Sequence, residues 1–182
     1  VEPSSGRFVA YPFERGFGTT IGNTLRRILL SSIQGYAVTA VRITTINEEG
    51  IPHLLSSEYE PLPGVVEDVP DIVANIKKLK IKMPEDIEST LISVECKGPG
   101  TFTAAGLEKN NVEIINKELV LFTMMEDANI ELEMQIDLAR GYVPAEVNEK
   151  YIEEIGTIPL DASFSPVKRV KFEIEPTRVG QR

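Results

Sequence analysis

The sequence predicts an α+β fold, because a helical pattern near its start is followed by strand patterns along most of the chain. Residues 20–32 repeat apolar side chains at helical spacing. Residues 38–46 are rich in β-branched side chains, and residues 130–138 alternate apolar and polar side chains without a break. We therefore expect an antiparallel sheet with helices packed against it.

The first helix follows a glycine cluster at Gly16, Gly18 and Gly22. Phosphate-binding loops have a different glycine spacing or a lysine after the last glycine, and this cluster has neither. We interpret it as a tight entry turn, with Thr19 or Thr20 as the N-cap of the helix.

The helix over 20–32 has two distinct faces. On a helical wheel, five residues fall within an arc of about 100°, and we expect this arc to be buried. Leu30 points about 150° from the centre of the arc, between Arg26 and Arg27. An apolar side chain flanked by arginines is typical of a partner interface, although a single exposed leucine is also common on surfaces. The five residues of the arc are Ile21, Leu25, Ile28, Leu29 and Ser32.

Turns and shorter elements fill the rest of the chain. A turn is predicted at 47–50 and an irregular segment at 51–63. A second helix is predicted over 64–80, with its regular part beginning near Glu67 or Asp68, because Pro70 fits only in a first turn. A loop of about 20 residues is expected before Pro159. The remaining predicted strands cover 90–97, 112–115, 119–124 and 167–174, the last with Val170, Phe172 and Ile174 inward.

Composition excludes several classes of protein. The 182 residues suit one ordinary domain or two small ones, and they carry 28 acidic against 19 basic side chains. The resulting net charge of −9 argues against a free-standing nucleic-acid binder. No apolar run is long enough to span a membrane, and the single cysteine cannot form an internal disulfide. We therefore expect a cytoplasmic protein with no membrane partner.

The inventory of catalytic side chains is poor. His53 and Cys96 are the only residues of their types, so a zinc site of His and Cys ligands is nearly impossible, and Cys96 is expected to be a buried strand residue. Solitary acids such as Glu131, Glu133 and Asp137 do not form a metal cluster in the sequence. We expect no catalytic residue, cofactor or metal in this chain. The alternative is a small cytosolic hydrolase that uses His53 and the solitary carboxylates.

The run from Pro12 to Ser32, PFERGFGTTIGNTLRRILLSS, resembles the family of bacterial RNA polymerase alpha subunits. Because the matching blocks keep the family's order over essentially the whole chain, chance similarity is implausible. The further blocks are 63–69, 100–105, 139–145, 161–167 and 177–182.

This resemblance implies a two-part amino-terminal domain. Residues 1–46 plus 152–182 would form a discontinuous dimerisation and assembly subdomain, incomplete at its C-terminal end, and residues 47–151 an inserted, mostly β subdomain. In the family, an alpha dimer is the platform on which the beta and beta-prime subunits assemble. The implied function is a non-catalytic scaffold, since nucleotidyl transfer during transcription belongs to the whole DNA-directed RNA polymerase.

The resemblance also implies three contact surfaces. The expected interface with beta consists of Arg26, Arg27 and Leu30. The expected interface with beta-prime consists of Arg140, Tyr142, Pro144, Ser165 and Pro166. The expected dimer interface consists of Phe17, Ile21, Leu25 and Ile28.

Both ends of the sequence lack a closing element, so we expect an excerpt of a longer protein. The family continues into a strand and a long helix that complete the dimer, and then into a C-terminal domain that contacts promoter DNA and activators. We expect those contacts to need the domain that is absent here. Residues 47–60 depart from the usual spacing of the family.

Overall fold

The computed structural model describes residues 4–149 and 154–177. Residues 178–182 of the family block at 177–182, and residues 150–153 at the predicted subdomain boundary, lie outside the described residues. Its α-helices are α1 (Phe17–Ser31), α2 (Val69–Ile76) and α3 (Ala145–Glu149), with a short 3-10 helix at Ala104–Leu107. The strands are β1 (Gln34–Ile46), β2 (Pro52–Leu54), β3 (Ile81–Lys82), β4 (Ser89–Lys97), β5 (Gly100–Thr103), β6 (Glu113–Ile114), β7 (Val120–Met124), β8 (Asn129–Arg140), β9 (Tyr142–Val143), β10 (Ile158–Pro159) and β11 (Ala162–Ser163).

The predicted α+β class is confirmed, and the main sheet is antiparallel. Strand β8 pairs with β1 from Gln34 opposite Arg140 to Thr45 opposite Ile130, with a bulge next to Val38. Strand β4 pairs with the other edge of β8. The edge of β1 that faces away from β8 pairs with β3, β10 and β2, and β6 pairs in turn with β3.

The alternation predicted for 130–138 is confirmed from Ile130 to Ile136, whereas Leu138, also expected inward, is only partly buried. Ile130, Leu132, Met134 and Ile136 are buried in the main core, whereas the polar residues between them are only partly buried. Successive side chains of a strand point to opposite faces, so this register fixes one apolar and one polar face of the sheet.

Helix α2 is shorter than the predicted 64–80. The Asp68 carboxylate accepts a hydrogen bond from the Asp71 amide at 3.1 Å, and Pro70 lies in the first turn, as expected. The residues before Asp68 are not helical because their backbone pairs with β7: the Val66 amide donates to the Thr123 carbonyl at 3.0 Å.

The strand predicted at 167–174 is wrong, because this segment pairs with no other strand among the described residues. Val170 and Phe172 are half-buried, but Ile174 is 55% exposed rather than inward. This segment lies instead along α1, where the Arg26 Nε donates to the Val170 carbonyl at 3.3 Å.

The expected buried arc of α1 is also wrong, since no residue of this helix is fully buried and Leu25 is 51% exposed. The packed face is rotated toward Gly18, Gly22 and Arg26. A Cβ at Gly22 would lie 2.5 Å from the Phe172 ring. The buried face was predicted from the positions of apolar side chains alone. Glycines have no side chain, but they allow the closest approach of the helix to its neighbour.

The predicted irregular segments contain several short elements that have little periodicity of their own. Strand β2 lies within 51–63, and β9, α3, β10 and β11 lie within the long stretch after Arg140. Strands β9, β10 and β11 are defined by pairing with residues far away in the sequence, as in Ala162 opposite Val143 and Val41 opposite Ile158. Within the described ranges, no helix has the length and apolar character needed to cross a bilayer.

Glu60 closes the loop that follows β2. Its carboxylate accepts hydrogen bonds from the Ser56 hydroxyl and from the Ser56 amide at 2.7 Å, and it lies 2.8 Å from the His53 Nε2. The pKa of Glu60 is lowered to about 2, chiefly by the bonds from the Ser56 side chain and from His53. Residues 53–60 therefore form a closed loop rather than a flexible connection.

We expect Gly22→Ala to destabilise the protein relative to Gly18→Ala. Both substitutions gain the same helix propensity, about 0.5–1 kcal/mol. A Cβ at Gly22 meets the Phe172 ring at 2.5 Å, whereas a Cβ at Gly18 stays 3.6 Å from Ile174. The free energy of unfolding, measured with urea, should differ between the variants by about 1–3 kcal/mol. Equal stabilities would contradict the close packing at Gly22.

We expect the Glu60 loop to contribute stability that is lost in acid. Because the folded-state pKa is lowered from 4.5 to about 2, this contribution is present above pH 4.5 and disappears as pH falls toward about 2. As pH falls over that range, the free energy of unfolding measured with urea should decrease more for the wild type than for Glu60→Gln. Parallel curves would show that the carboxylate hydrogen bonds add no stability.

Candidate subunit interface

An apolar stripe runs along the outer side of α1, and we define it as Phe17, Ile21, Leu25 and Ile28. Phe17, Leu25 and Ile28 are 53%, 51% and 46% exposed, and Ile21 is half-buried. The four positions fall within an arc of about 80° on a helical wheel. Exposed apolar patches of this kind are typical of surfaces that contact other proteins.

The three residues expected at the beta interface occupy different environments. Arg27 is exposed, and Leu30 is half-buried rather than fully outward. Arg26 is exposed too, but its guanidinium is bonded to the Val170 carbonyl and so is turned toward the chain itself. Arg27 is therefore the best placed of the three for contact with another molecule.

An exposed apolar segment that was not predicted from the sequence lies just before α1. Phe8, Val9, Tyr11 and Phe13 are all exposed, and Phe8 almost fully so. Three aromatic residues within six positions were the available signal. This segment is therefore a further candidate for contact with another molecule.

A second surface is formed where β9 pairs with β11. The Phe164 amide donates to the Gly141 carbonyl at 2.8 Å, which brings residues 164–166 next to the end of β8. Arg140, Tyr142, Pro144 and Pro166, all expected at the beta-prime interface, are exposed in these adjoining segments.

Ser165 was expected at the same interface, but the structure places its side chain inside the protein. It is 5% exposed, and its hydroxyl lies 3.2 Å from the Leu29 carbonyl and 3.0 Å from the Val167 carbonyl. Its side chain therefore ties the end of α1 to the segment that follows β11, and does not face a partner.

Tyr142 is held in place by two charged neighbours. Its hydroxyl donates to the Asp161 carboxylate at 3.3 Å, and Asp161 forms an ion pair with Lys77. The Lys77 ammonium lowers the pKa of Asp161, whereas desolvation and the nearby Asp161 charge raise the pKa of Tyr142. Tyr142 therefore remains a neutral hydrogen-bond donor on this surface.

His53 and Cys96 do not form a catalytic pair. Strand pairing aligns His53 with Thr45, Thr45 with Ile130, and Ile130 with Cys96. Three strand spacings separate the two residues, about 14 Å. Cys96 is also 2% exposed, and burial raises the pKa of its thiol to about 11, so it is not a reactive thiolate.

The solitary carboxylates have structural partners. Asp137 accepts hydrogen bonds from Thr39 at 2.5 Å and from Ser89 at 2.6 Å, and Glu133 forms an ion pair with Arg42 at 3.5 Å. Among the described residues, no three His, Cys, Asp or Glu side chains are grouped as metal ligands. These acids therefore help to hold the polar face of the sheet together.

Comparison with known proteins places this architecture in a family. Residues 41–165 match the model of the RNA polymerase Rpb3/RpoA insert domain. The chain is 49% identical over 98% of its length to the DNA-directed RNA polymerase subunit alpha of Borrelia garinii, covering 53% of that relative. The corresponding subunits of Leptospira biflexa and Treponema pallidum are 50% and 47% identical, over 99% and 97% of the chain and 54% and 51% of the relatives.

The chain thus spans about half the length of these curated relatives. The family match covers more than half of the chain and includes β8 and the part of β1 from Val41 to Ile46, which pairs with it. We conclude that this chain belongs to the RNA polymerase Rpb3/RpoA insert domain family, and that it resembles bacterial alpha subunits over nearly its whole length.

Proposed function

We propose that this chain is a non-catalytic assembly scaffold of a cytoplasmic, DNA-directed RNA polymerase. The observation that carries the proposal is the exposed apolar stripe of α1, in a chain about half identical to subunits named alpha. A scaffold needs surfaces for other subunits but no reactive centre. Nucleotidyl transfer would then be a property of the whole polymerase.

The apolar stripe is the proposed homodimer interface. Phe17, Leu25 and Ile28 expose large side chains at helical spacing, which suits packing against the same helix of a second copy. Burial of such side chains between two copies would remove them from water and favour association. The aromatic segment before α1 would extend the same interface.

The proposed beta contact is Arg27, with Leu30 and Arg26 beside it. Arginine makes strong interface contacts because its planar guanidinium forms several directed hydrogen bonds. The beta-prime contact is proposed at Arg140, Tyr142, Pro144 and Pro166. Contacts with promoter DNA and activators would need a further C-terminal domain.

The two-part division into 1–46 plus 152–182 and 47–151 also remains a proposal. Packing of α1 against Phe172 and Val170 supports it, since the beginning and end of the described chain lie together. The matched insert-domain range of 41–165 overlaps the proposed inserted part and is longer at both ends. Strands β1 and β8 pair across the proposed boundary, so the two parts share one sheet.

We expect Arg27→Ala to weaken capture of the beta subunit without unfolding the chain. Arg27 is exposed, so its removal leaves the core intact. Loss of an arginine anchor at an interface costs about 1–3 kcal/mol, and co-purification of beta with the tagged full-length protein should fall accordingly.

Lys97→Ala is the matched control, because it removes an exposed positive charge from edge strand β4. Equal loss of beta with both variants would indicate a general charge effect rather than a site. Undiminished capture by folded Arg27→Ala would remove this residue from the proposed interface.

We expect the double variant Leu25→Asp and Ile28→Asp to dissociate the dimer while each copy remains folded. Both side chains are about half exposed in the single chain, so the new carboxylates can stay in water until a partner approaches. Sedimentation velocity should show a monomer, and circular dichroism an unchanged fold. Unfolding of the double variant would instead indicate that this face is packed within the chain.

A further inference from the structure

Three lysines form an exposed row on a segment of chain whose other side is buried. Lys78, Lys80 and Lys82 are exposed, whereas Ile81 and Met83 are 9% and 6% exposed. From Lys78 to Met83, exposed lysines thus alternate in sequence with apolar residues that are buried or partly buried. We call Lys78, Lys80 and Lys82 the lysine row.

The backbone that carries the lysine row is held firmly. The Asn116 side chain accepts a hydrogen bond from the Lys80 amide at 2.8 Å and donates one to the Lys78 carbonyl at 2.9 Å. The Ile115 amide donates to the Lys80 carbonyl at 2.9 Å. Strand pairing at Ile81 then joins this segment to β1 and β6. Hydrogen bonds to neighbouring segments therefore hold the backbone that carries the lysine row, and Lys82 itself lies in strand β3.

Few acidic side chains neutralise the positive charges of the lysine row. Within the described part of the chain, the ion pairs of at most 4.0 Å do not include these three lysines. Glu113 lies opposite Lys82 in the β3–β6 register, and Lys78 makes only a 3.4 Å contact with the Asn75 amide oxygen. On a chain of net charge −9, this row is a local site of attraction for anions.

A shallow depression adjoins the end of the row. It has a volume of about 380 Å³, and its lining includes Lys82, Pro84, Asn110, Asn111 and one acidic residue, Glu113. Asn110 and Asn111 are exposed at a turn, and Asn110 has a positive φ of 53°. Side-chain amides both donate and accept hydrogen bonds, as the backbone of a bound peptide requires.

We infer that the lysine row and the adjoining depression form a docking surface for a short acidic, extended segment of a partner protein. Alternate residues of an extended peptide are about 6.6 Å apart. Lys82 lies in β3 and Lys80 precedes that strand by one residue, so these two lysines are also separated by a single residue. Carboxylates at alternate positions of the peptide meet the ammonium groups, and Asn110 and Asn111 bind its backbone.

An acidic peptide fits this surface better than a nucleic acid. Residues 77–88 and 108–118 contain no aromatic side chain on which a base could stack. A long polyanion would also extend from the row over a protein that is acidic as a whole. Glu113, next to Lys82, limits the favourable contact to a few residues.

The test uses the full chain and a fluorescent peptide with glutamate at three alternate positions. Fluorescence anisotropy should show binding that weakens with added salt. The triple variant Lys78→Gln, Lys80→Gln and Lys82→Gln should bind about tenfold more weakly, the sum expected for three exposed ion pairs. A peptide with three consecutive glutamates should also bind more weakly.

The matched control is Lys97→Gln, Lys168→Gln and Arg169→Gln, which removes three exposed positive charges from other parts of the chain. It should bind the alternating peptide like the wild type. Absence of binding to the folded wild type, or equal loss in both triple variants, would overturn the proposal. So would tighter, row-dependent binding of a single-stranded oligonucleotide.

Discussion

The antiparallel pairing of β1 with β8 is the interaction on which the rest of this structure depends. It runs from Gln34 opposite Arg140 to Thr45 opposite Ile130, and every strand of the main sheet attaches to this pair directly or through β3. Because side chains alternate along a strand, its register decides which residues enter the core. The same register separates His53 from Cys96 and so removes the one possible Cys–His pair.

Helix α1 is attached in a different way. It makes close contact with the segment ending at Ile174 through Gly18 and Gly22, while large apolar side chains stay on its outer side. Glycine costs helix stability, but it allows a neighbouring chain to approach closely. A helix built in this way can be held by its own chain on one side and keep its apolar stripe available for a second molecule.

Many acidic side chains are bonded within the protein, whereas several basic side chains are exposed and can contact other molecules. Acids on the polar face of the sheet are bonded to neighbours such as Arg42, Thr39 and Ser89. Exposed Arg27 and the lysine row lie on elements that the strand pairing and helix packing hold in place. Rigid presentation lowers the entropy lost on binding, which favours specific contacts over loose electrostatic attraction.

The sequence by itself determined the α+β class, the inward residues of β8 and the start of α2. These features rest on local rules: alternation, and an Asp–Pro helix start at Asp68 and Pro70. The family resemblance also came from the sequence, because its motifs are contiguous blocks. The proposed contacts of Arg27 and of the apolar stripe also came from this resemblance and remain predictions.

Only the tertiary structure decided which face of α1 packs within the chain, because Gly18 and Gly22 have no hydrophobic signal and their role depends on Phe172 and Ile174. It also showed Ser165 to be buried, since the hydroxyl bonds to carbonyls of Leu29 and Val167. Short strands such as β9 and β11 form only by pairing with each other. Because the two strands are far apart in the sequence, no local pattern predicts them.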